Sequence, residues 1–170
     1  FPSKVLDLYK LLPENKYKAD LFRYCYLFKH GGVYADIDLK PLMPVRSFLH
    51  KSSTFFSIWT GRGKHIFQAY IAVTPQHPLM QKAIEMMLKI GVSFYSQGPP
   101  HETHPTNQLY EIVKEALPDH SVHEGLHSTI YGDLQLGYEA CPSGRNCVTI
   151  YRGVRIARSR YSDWNGKGFD

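Results

Sequence analysis

The spacing of apolar residues along the chain predicts alternating helices and strands. From Tyr17 to Lys29 the apolar residues recur at helical spacing and form two stripes, Tyr17, Leu21, Tyr24 and Phe28 in the first and Ala19, Phe22 and Tyr26 in the second. Because apolar side chains then cover almost the whole circumference, we expect this helix to be buried. Gly31 and Gly32 follow it and predict a left-handed C-terminal cap.

The segment after the two glycines repeats with a period of two residues, which is typical of a strand. Val33, Ala35, Ile37 and Leu39 alternate there with Tyr34, Asp36 and Asp38. A strand from Val33 to Leu39 would place Tyr34, Asp36 and Asp38 on one face and would end before Lys40-Pro41.

The rest of the chain continues the alternation. Further strands are predicted at Phe55 to Trp59, Phe67 to Val73 and Ser121 to Glu124, and a hairpin at Val148 to Tyr151 and Val154 to Ala157, around Gly153. Helices are predicted at Leu79 to Ile90 and, capped by Thr106, up to about Ala116, with a loop between them from Gly91 to Pro105. This pattern predicts one α/β domain over residues 1–170.

Composition narrows the class of protein. Hydrophobic residues make up 43% of the chain and charged residues 21%, as in an ordinary globular domain. No apolar run approaches the roughly 18 residues that cross a bilayer, and no signal peptide is visible, so we expect membrane association only through an anchor outside this sequence. The net charge of +5 suits an anionic partner, but no nucleic-acid-binding motif occurs, and no nucleic-acid partner is predicted.

The three cysteines bear on the compartment. Cys25 lies in the apolar helix and is interpreted as a buried thiol. Cys141 and Cys147 flank the turn-rich segment Pro-Ser-Gly-Arg-Asn, so a disulfide across this loop and two free thiols both remain open. A disulfide would indicate an oxidising lumen.

The pair Asp36 and Asp38 is the first candidate for chemistry. Two carboxylates this close together need a cation, and their oxygens suit Mg²⁺ or Mn²⁺. Such an ion keeps positions open for substrate phosphates and can stabilise a leaving diphosphate as a Lewis acid. Asp-x-Asp alone is a weak signal, because a solvated strand end explains it equally well. Its place after an apolar helix and Gly31-Gly32 is what gives it weight.

Asp20 and Arg23 form the second candidate. They lie three residues apart on the apolar helix and therefore share a face. A buried ion pair is the plainer explanation. The alternative is that the carboxylate and the guanidinium hold sugar hydroxyls through directional, charge-assisted hydrogen bonds.

Taken together, these residues resemble a known signature. The stretch Lys18-Ala-Asp-Leu-Phe-Arg-Tyr-Cys-Tyr-Leu-Phe-Lys-His-Gly-Gly-Val-Tyr-Ala-Asp-Ile-Asp38 resembles that of the DXD glycosyltransferases. It is similar to the family of yeast initiating α-1,6-mannosyltransferases and inositol-phosphoceramide mannosyltransferases, and to the catalytic domain of the glucosylating clostridial toxins. The close match covers Tyr17 to Pro44, and a fainter one covers Gln68 to Pro78.

The resemblance implies a fold and an activity. The fold would be of GT-A type, a Rossmann-like mixed sheet flanked by helices. The activity would be Mn²⁺- or Mg²⁺-dependent, retaining transfer of a hexose from UDP- or GDP-hexose to a hydroxyl of a glycan, glycolipid or protein. In a eukaryote, such an enzyme would work in the Golgi or another secretory lumen.

The resemblance also implies site residues. Asp20, Arg23 and Asp38 would be catalytic, with Asp20 and Arg23 on the donor sugar and Tyr34 lining the donor site. Asp38 would bind the metal directly, and Asp36 would contact the ribose or reach the metal through water.

In relatives the C-terminal tail folds over the metal, and Arg160 to Asn165 matches it here. Trp164 would touch the diphosphate, and Ser162 would supply a metal ligand, with Asp163 and Asn165 as the alternatives.

Two departures from the family pattern limit these implications. The family carries its first strands, and an aromatic residue that stacks on the nucleotide base, before the helix at Tyr17 to Lys29. We therefore expect a domain that is incomplete at its N-terminus, with no assignable base-binding residues. Gln68 stands where relatives often have Asn, so no acceptor-side role is assigned to it.

Two rival functions remain. His123-Glu124-Gly-Leu-His127 matches the zinc-hydrolase pattern His-Glu-x-x-His, but that chemistry needs a helix, and Gly125 argues against one here. The other rival is a non-catalytic domain that binds a nucleotide sugar or a carbohydrate. His101-x-x-His104 lies in a predicted Pro-rich loop and is interpreted as a surface or acceptor-site segment.

Overall fold

The computed structural model describes residues 1–60, 64–96, 104–141 and 147–159. Within these ranges the helices are α1 (Ser3–Leu11), α2 (Asn15–His30), α3 (Pro78–Ser96) and α4 (Pro105–Ala116), with a 3₁₀ helix at Val45–Ser47. The strands are β1 (Gly32–Ala35), β2 (Leu39–Pro41), β3 (Ser53–Thr60), β4 (His65–Val73), β5 (Gly125–Thr129), β6 (Gly132–Ala140), β7 (Cys147–Tyr151) and β8 (Val154–Ser159).

The strands form one mixed sheet in the order β1-β4-β3-β6-β7-β8-β2, with β5 paired to β6. β4 is antiparallel to both β1 and β3, and β3 is parallel to β6. Strands β1, β3 and β6 therefore run in the same direction, and their carboxyl ends meet at one edge of the sheet. The α/β class with a mixed sheet is confirmed.

The core lies on both faces of the sheet because successive strand residues point to opposite sides. In β3, Phe55 belongs to a cluster that includes residues of all four described α-helices, while Phe56 belongs to a second cluster with Leu39 and Ile156. Phe48, after the 3₁₀ helix, packs on Phe56 with the ring centroids 5.2 Å apart. The four α-helices thus share one cluster, and irregular chain covers the other.

Helix α2 has one buried face and one exposed face. Tyr17, Leu21 and Tyr24 are buried, as predicted, but the side chains of Phe22 and Tyr26 are 53% and 51% exposed. These two rings stand one helical turn apart with centroids 5.8 Å from each other, so they cover each other on the surface rather than entering the core. The prediction of a helix buried all round is wrong.

The strand predicted from Val33 to Leu39 is also wrong. β1 ends at Ala35, and residues 36–38 form a turn in which the backbone N–H of Leu39 donates to the carbonyl of Asp36 at 3.0 Å. Lys40-Pro41, expected to end the strand, lies inside β2, which is the last strand of the sheet and pairs with β8. Proline is tolerated there because an edge strand leaves one side unpaired.

Three other boundaries differ from the prediction. Helix α3 continues past Ile90 to Ser96, although Gly91, with φ of +72° and ψ of 173°, interrupts its geometry. The side chain of His104, rather than that of Thr106, caps α4 by accepting from the Thr106 backbone N–H. Residues 121–124 are not a strand, since β5 begins at Gly125. The strands at 55–59 and 67–73 and the hairpin around Gly153 are confirmed.

Cys141 and Cys147 form a disulfide, which resolves the alternative left open by their spacing. Cys25 is a partly buried free thiol, and burial raises its pKa to about 11. In the described part of the chain, each helix is too short or too polar to cross a bilayer.

His77 is a buried histidine at the connection between β4 and α3. Its Nδ1 accepts from the Leu79 backbone N–H at 3.2 Å, so Nε2 carries the proton that it shares with the Thr54 hydroxyl, also at 3.2 Å. Burial lowers the pKa of His77 to about 4. The imidazole is therefore neutral near pH 7.

Candidate functional site

Gly31 sets the path of the chain from α2 into β1. Its φ of +63° and ψ of −158° lie in a region open essentially to glycine. A Cβ at this position would stand 2.7 Å from Pro75 Cδ and 2.9 Å from the Val73 carbonyl oxygen, so the backbone after β4 packs directly against it. This close approach brings the buried face of α2 beside the turn that follows β1.

Arg23 is the centre of the candidate site. Its side chain is 7% exposed, and Nη2 lies 3.2 Å from Asp20 Oδ1 and 3.5 Å from Asp36 Oδ1. Nη1 donates to the carbonyl of Gln68 at 2.9 Å, and the guanidinium lies 4.6 Å from the centre of the Tyr34 ring. The buried guanidinium therefore holds together the helix, the turn and strand β4.

Among the carboxyl groups near Arg23, that of Asp20 has the most strongly shifted pKa. It is 8% exposed, and its pKa is raised to about 6, chiefly because burial disfavours the charged form. The positive charge of Arg23 opposes this rise, and the negative charge of Asp36 adds to it. The plainer interpretation of Asp20 and Arg23 as a buried ion pair is thus confirmed, and it leaves their proposed contact with a sugar open.

The two carboxylates of the Asp-x-Asp motif have different surroundings. The hydroxyl of Tyr34 donates to Asp36 Oδ1 at 2.6 Å, the same oxygen that faces Arg23. Asp38 is partly buried, and its side chain forms no hydrogen bond or ion pair with another described residue. Burial, followed by the charge of Asp36, raises the pKa of Asp38.

This difference fits a divalent cation bound mainly by Asp38. A partly buried carboxylate with no internal partner is stabilised by a hard cation, and carboxylate oxygen is the ligand that Mg²⁺ and Mn²⁺ prefer. Asp36 already receives the Tyr34 hydroxyl and faces Arg23 through Oδ1, so it suits a contact with the cation through water rather than a direct one. Of the predicted ligands, Ser162 lies outside the described residues, as do Asp163, Trp164 and Asn165.

Asp20, Arg23 and Asp36 face a cleft of about 340 Å³. The cleft is further lined by Lys16, Phe67, Gln68, Ala69, His104, Thr106, Glu139 and Cys147. Tyr34 reaches this group through its hydrogen bond to Asp36, and Asp38 lies in the same turn outside the cleft lining. A wider groove of about 520 Å³ runs between α1 and α3, but its lining mixes aliphatic residues with Lys4, Glu85 and Lys89 and contains none of the residues of the candidate site.

Two cleft residues were missed from the sequence. Gln68 is 3% exposed, and neither its amide nitrogen nor its amide oxygen has a hydrogen bond of ordinary geometry, although the Tyr24 hydroxyl lies close by. Glu139 is partly buried at the end of β6, a strand that was not predicted. The family pattern gave no role to Gln68, and a single Glu near the end of an apolar strand carries no signal by itself.

The His-Glu-x-x-His segment does not have the zinc-hydrolase geometry. Gly125 opens a strand rather than lying in a helix, and His127 Nε2 lies 3.0 Å from the carbonyl of His123. Over the described ranges, the single group of three or more His, Cys, Asp or Glu ligand atoms within 4.8 Å of one another is Glu139, Cys141 and Cys147. His123, Glu124 and His127 are therefore not brought together as metal ligands.

Part of the chain matches a known protein-family model. Residues 2–55 match the family model described as the glycosyltransferase sugar-binding region containing DXD motif. This matched segment contains Asp20, Arg23, Tyr34 and both carboxylates of the Asp-x-Asp turn.

Three curated relatives are yeast mannosyltransferases. The chain is 26% identical over 133 residues to inositol phosphoceramide mannosyltransferase 1 of Schizosaccharomyces pombe, a match that covers 77% of this chain and 41% of that protein. It is 46% identical over 135 residues to the initiation-specific alpha-1,6-mannosyltransferase of Candida albicans, covering 67% of this chain and 35% of the relative. The Saccharomyces cerevisiae initiation-specific alpha-1,6-mannosyltransferase is 38% identical over 53 residues, a match that covers 31% of this chain and 11% of that protein.

The resemblance to the DXD glycosyltransferases and to these yeast mannosyltransferases is thereby confirmed. The chain matches 41% or less of the length of these relatives.

Proposed function

We propose that this chain carries the donor-sugar and metal-binding part of a GT-A glycosyltransferase. The reaction is the metal-dependent transfer of a hexose from a nucleotide-diphosphate sugar to an acceptor hydroxyl, with retention of configuration. The observation that carries this proposal is the Arg23 cluster. A buried guanidinium joins Asp20, Asp36 and Tyr34 beside a cleft, within the segment that matches the glycosyltransferase sugar-binding model.

Asp20 and Arg23 are suited to bind the hydroxyls of the donor sugar. Both side chains line the cleft, and both keep unused bonding capacity, since Arg23 Nε has no hydrogen-bond partner and the ion pair engages Oδ1 of Asp20. The contacts of Arg23 with Gln68 and Tyr34 hold the guanidinium in place before the substrate arrives. Such preorganisation lowers the cost of orienting the sugar.

Asp38 would hold the cation directly and Asp36 through water, with Ser162 as the proposed third ligand. When bound, Mn²⁺ or Mg²⁺ supplies Lewis-acid stabilisation of the negative charge that develops on the leaving diphosphate. Tyr34 has its own part, because its hydrogen bond to Asp36 and its stacking on Arg23 fix the position of that carboxylate.

The state of Asp20 disfavours this carboxylate as a nucleophile. Its charge is held by Arg23, which makes it a poor attacking group. We propose a step without a covalent sugar–enzyme intermediate, in which the acceptor oxygen forms its bond to the anomeric carbon on the same face from which the diphosphate departs. The acceptor proton then passes to the departing phosphate oxygen.

The partners follow from the same reasoning. The donor is a UDP- or GDP-hexose, and the names of the relatives favour mannose as the hexose. The acceptor is a hydroxyl of a glycan, a glycolipid or a protein. The Cys141–Cys147 disulfide suits an oxidising compartment such as the Golgi or another secretory lumen.

The test is Mn²⁺-dependent hydrolysis of GDP-mannose and UDP-hexoses by the full-length protein and its Asp38→Ala variant. We expect Asp38→Ala to reduce the rate by a factor of about 100 or more, since it removes a direct electrostatic contribution to the leaving group. Ile37→Ala is the matched control, because Ile37 lies in the same turn and is 84% exposed. Full activity of Asp38→Ala would refute the metal assignment, and donor binding without turnover would identify a binding domain instead.

A further inference from the structure

The cleft has a side that the donor-site residues do not occupy. Asp20, Arg23 and Asp36 come from α2 and from the turn after β1, whereas Glu139 lies near the carboxyl end of β6. Strands β1 and β6 run in the same direction, and Glu139 pairs in register with Thr60, the last residue of β3. Asp36 and Glu139 thus lie at the same edge of the sheet, where open α/β sheets bind their ligands.

Glu139 presents a carboxylate to the cleft without a cation to neutralise it. Burial raises its pKa, and it takes part in no ion pair within the described ranges. The Ser159 hydroxyl lies near this carboxylate and partly opposes the rise in its pKa, but the hydroxyl makes no hydrogen bond of ordinary geometry within the described residues. A partly buried carboxylate in this state gains from a ligand that donates a hydrogen bond to it.

Gln68 also lines the cleft, but its amide lies in the interior. The side chain is 97% buried, its two polar atoms have almost no exposed surface, and the Tyr24 hydroxyl lies close by. A ligand in the cleft can therefore reach the Glu139 carboxylate but not this amide.

The charges and the shape of the cleft indicate the class of ligand. Among the described lining residues, the three carboxylates of Asp20, Asp36 and Glu139 face the two cations Lys16 and Arg23, so no described cation is left for a second anion beside the donor diphosphate. The volume of about 340 Å³ lies at the low end of the range for small-molecule sites. A neutral, hydroxyl-rich ring satisfies these conditions, and a second phosphate group does not.

We propose that Glu139 lines the acceptor subsite and accepts a hydrogen bond from a hydroxyl group of a neutral sugar that binds there. This inference rests on the proposed function, because it assumes that the Arg23 side of the same cleft holds the donor. Glu139 is assigned here as a binding and specificity residue, and it performs no bond-making step.

The experiment measures acceptor binding and donor hydrolysis separately, in the full-length protein with Mn²⁺. Binding of methyl α-mannoside and of inositol phosphate is followed by ligand-observed NMR in the wild type, in Glu139→Gln and in Glu115→Gln. Glu115 is an exposed residue of α4 and serves as the matched control. We expect Glu139→Gln to weaken mannoside binding about tenfold, as loss of one charge-assisted hydrogen bond does. Glu115→Gln should bind as the wild type does, and hydrolysis of the donor without acceptor should stay within about twofold in both variants.

Each outcome has a separate meaning. Loss of mannoside binding in Glu139→Gln supports the subsite even if the wild type turns over no donor, a result that would overturn the proposed function alone. Equal mannoside binding in the wild type and Glu139→Gln overturns the subsite. Preferential binding of inositol phosphate overturns the assignment to a neutral sugar. A parallel fall in donor hydrolysis places Glu139 on the donor side and overturns the acceptor role.

Discussion

Replacing Gly31 by alanine tests the link between the fold and the site. Gly31 connects the helix that carries Asp20 and Arg23 to the strand that precedes Asp36. The variant adds a single methyl group, and it removes no polar contact of the site. Any loss of stability therefore reports on the backbone path that brings the charged groups together.

The structure sets the expected magnitude. A non-glycine residue at φ +63° and ψ −158° costs about 1–3 kcal/mol in backbone strain. The new Cβ would also stand 2.7 Å from Pro75 Cδ and N and 2.9 Å from the Val73 carbonyl oxygen, which are largely backbone or ring atoms that cannot turn aside. Overpacking of this kind adds about 1–3 kcal/mol, so we expect a total loss of about 4 kcal/mol.

Gly32→Ala is the matched control because it shares the strain but not the clash. Gly32 has a φ of +99°, and a Cβ there would meet no atom within 4 Å, so a loss of about 2 kcal/mol is expected. Urea unfolding followed by circular dichroism separates the two variants. With a slope of about 2 kcal/mol per molar urea, their midpoints should differ by about 1 M. Equal midpoints would show that Pro75 and Val73 do not constrain Gly31, and the reasoning would be wrong.

Three further predictions concern stability, each measured by urea unfolding. Arg23→Met should lower the free energy of unfolding by about 3–5 kcal/mol, because it leaves the carboxylates of Asp20 and Asp36 without their counter-charge. Arg46→Met, at an exposed position, is the control and should change it little. Similar losses in the two variants would contradict the structural role of the Arg23 ion pairs. The pKa of His77 is about 4 when folded and 6.5 when unfolded, so the unfolded chain binds the proton first as the pH falls. The free energy of unfolding should therefore fall by about 3 kcal/mol between pH 6.5 and 4. If His77→Gln shows the same dependence of stability on pH as the wild type, this prediction is wrong. Removing the disulfide by the double substitution Cys141→Ser and Cys147→Ser should lower the free energy of unfolding by about 2 kcal/mol, as expected for a loop of this length. An unchanged free energy would show that the disulfide does not stabilise the fold.

Elements whose signals are local could be predicted from the sequence. Helix α2, strands β3 and β4 and the hairpin around Gly153 follow from apolar periodicity and from glycine placement. The contact between Asp20 and Arg23 follows from their spacing on one helix, and the structure places them 3.2 Å apart. The positive φ of Gly31 agrees with the prediction from its position after the helix, but its ψ of −158° is not that of the predicted left-handed cap.

The turn at residues 36–38 could not be predicted, because distant pairing decides it. The period of two from Val33 to Leu39 is equally compatible with a straight strand. In the structure, Leu39 instead pairs with Ser159 of β8, at the far end of the described chain. The chain must therefore leave β1 after Ala35 and reverse, and the Asp-x-Asp motif lies in a turn rather than on the face of a strand.

The same reasoning applies to the cleft residues that the sequence did not reveal. Gln68 and Glu139 lie on strands that are separated by β3 in the sheet and by 71 residues in the chain, and only the sheet order brings them to one cleft. Glu139 belongs to no spaced motif, and Gln68 lies in the fainter family match without an assigned role. Their chemistry becomes visible through burial without a partner, a property of tertiary structure that no local pattern encodes.

The structural and the functional interpretations of the Arg23 cluster are compatible. A buried ion pair is a costly way to stabilise a fold, because desolvation offsets much of its attraction, and the pKa of Asp20 at about 6 shows that this carboxylate is incompletely compensated. The hydrogen-bonding groups of Arg23 are likewise not all satisfied, since its Nε lacks a hydrogen-bond acceptor. An ion pair built only for stability would be expected to satisfy these groups internally. Both residues line the cleft, so a bound sugar is a candidate partner for the groups that the ion pair leaves unsatisfied.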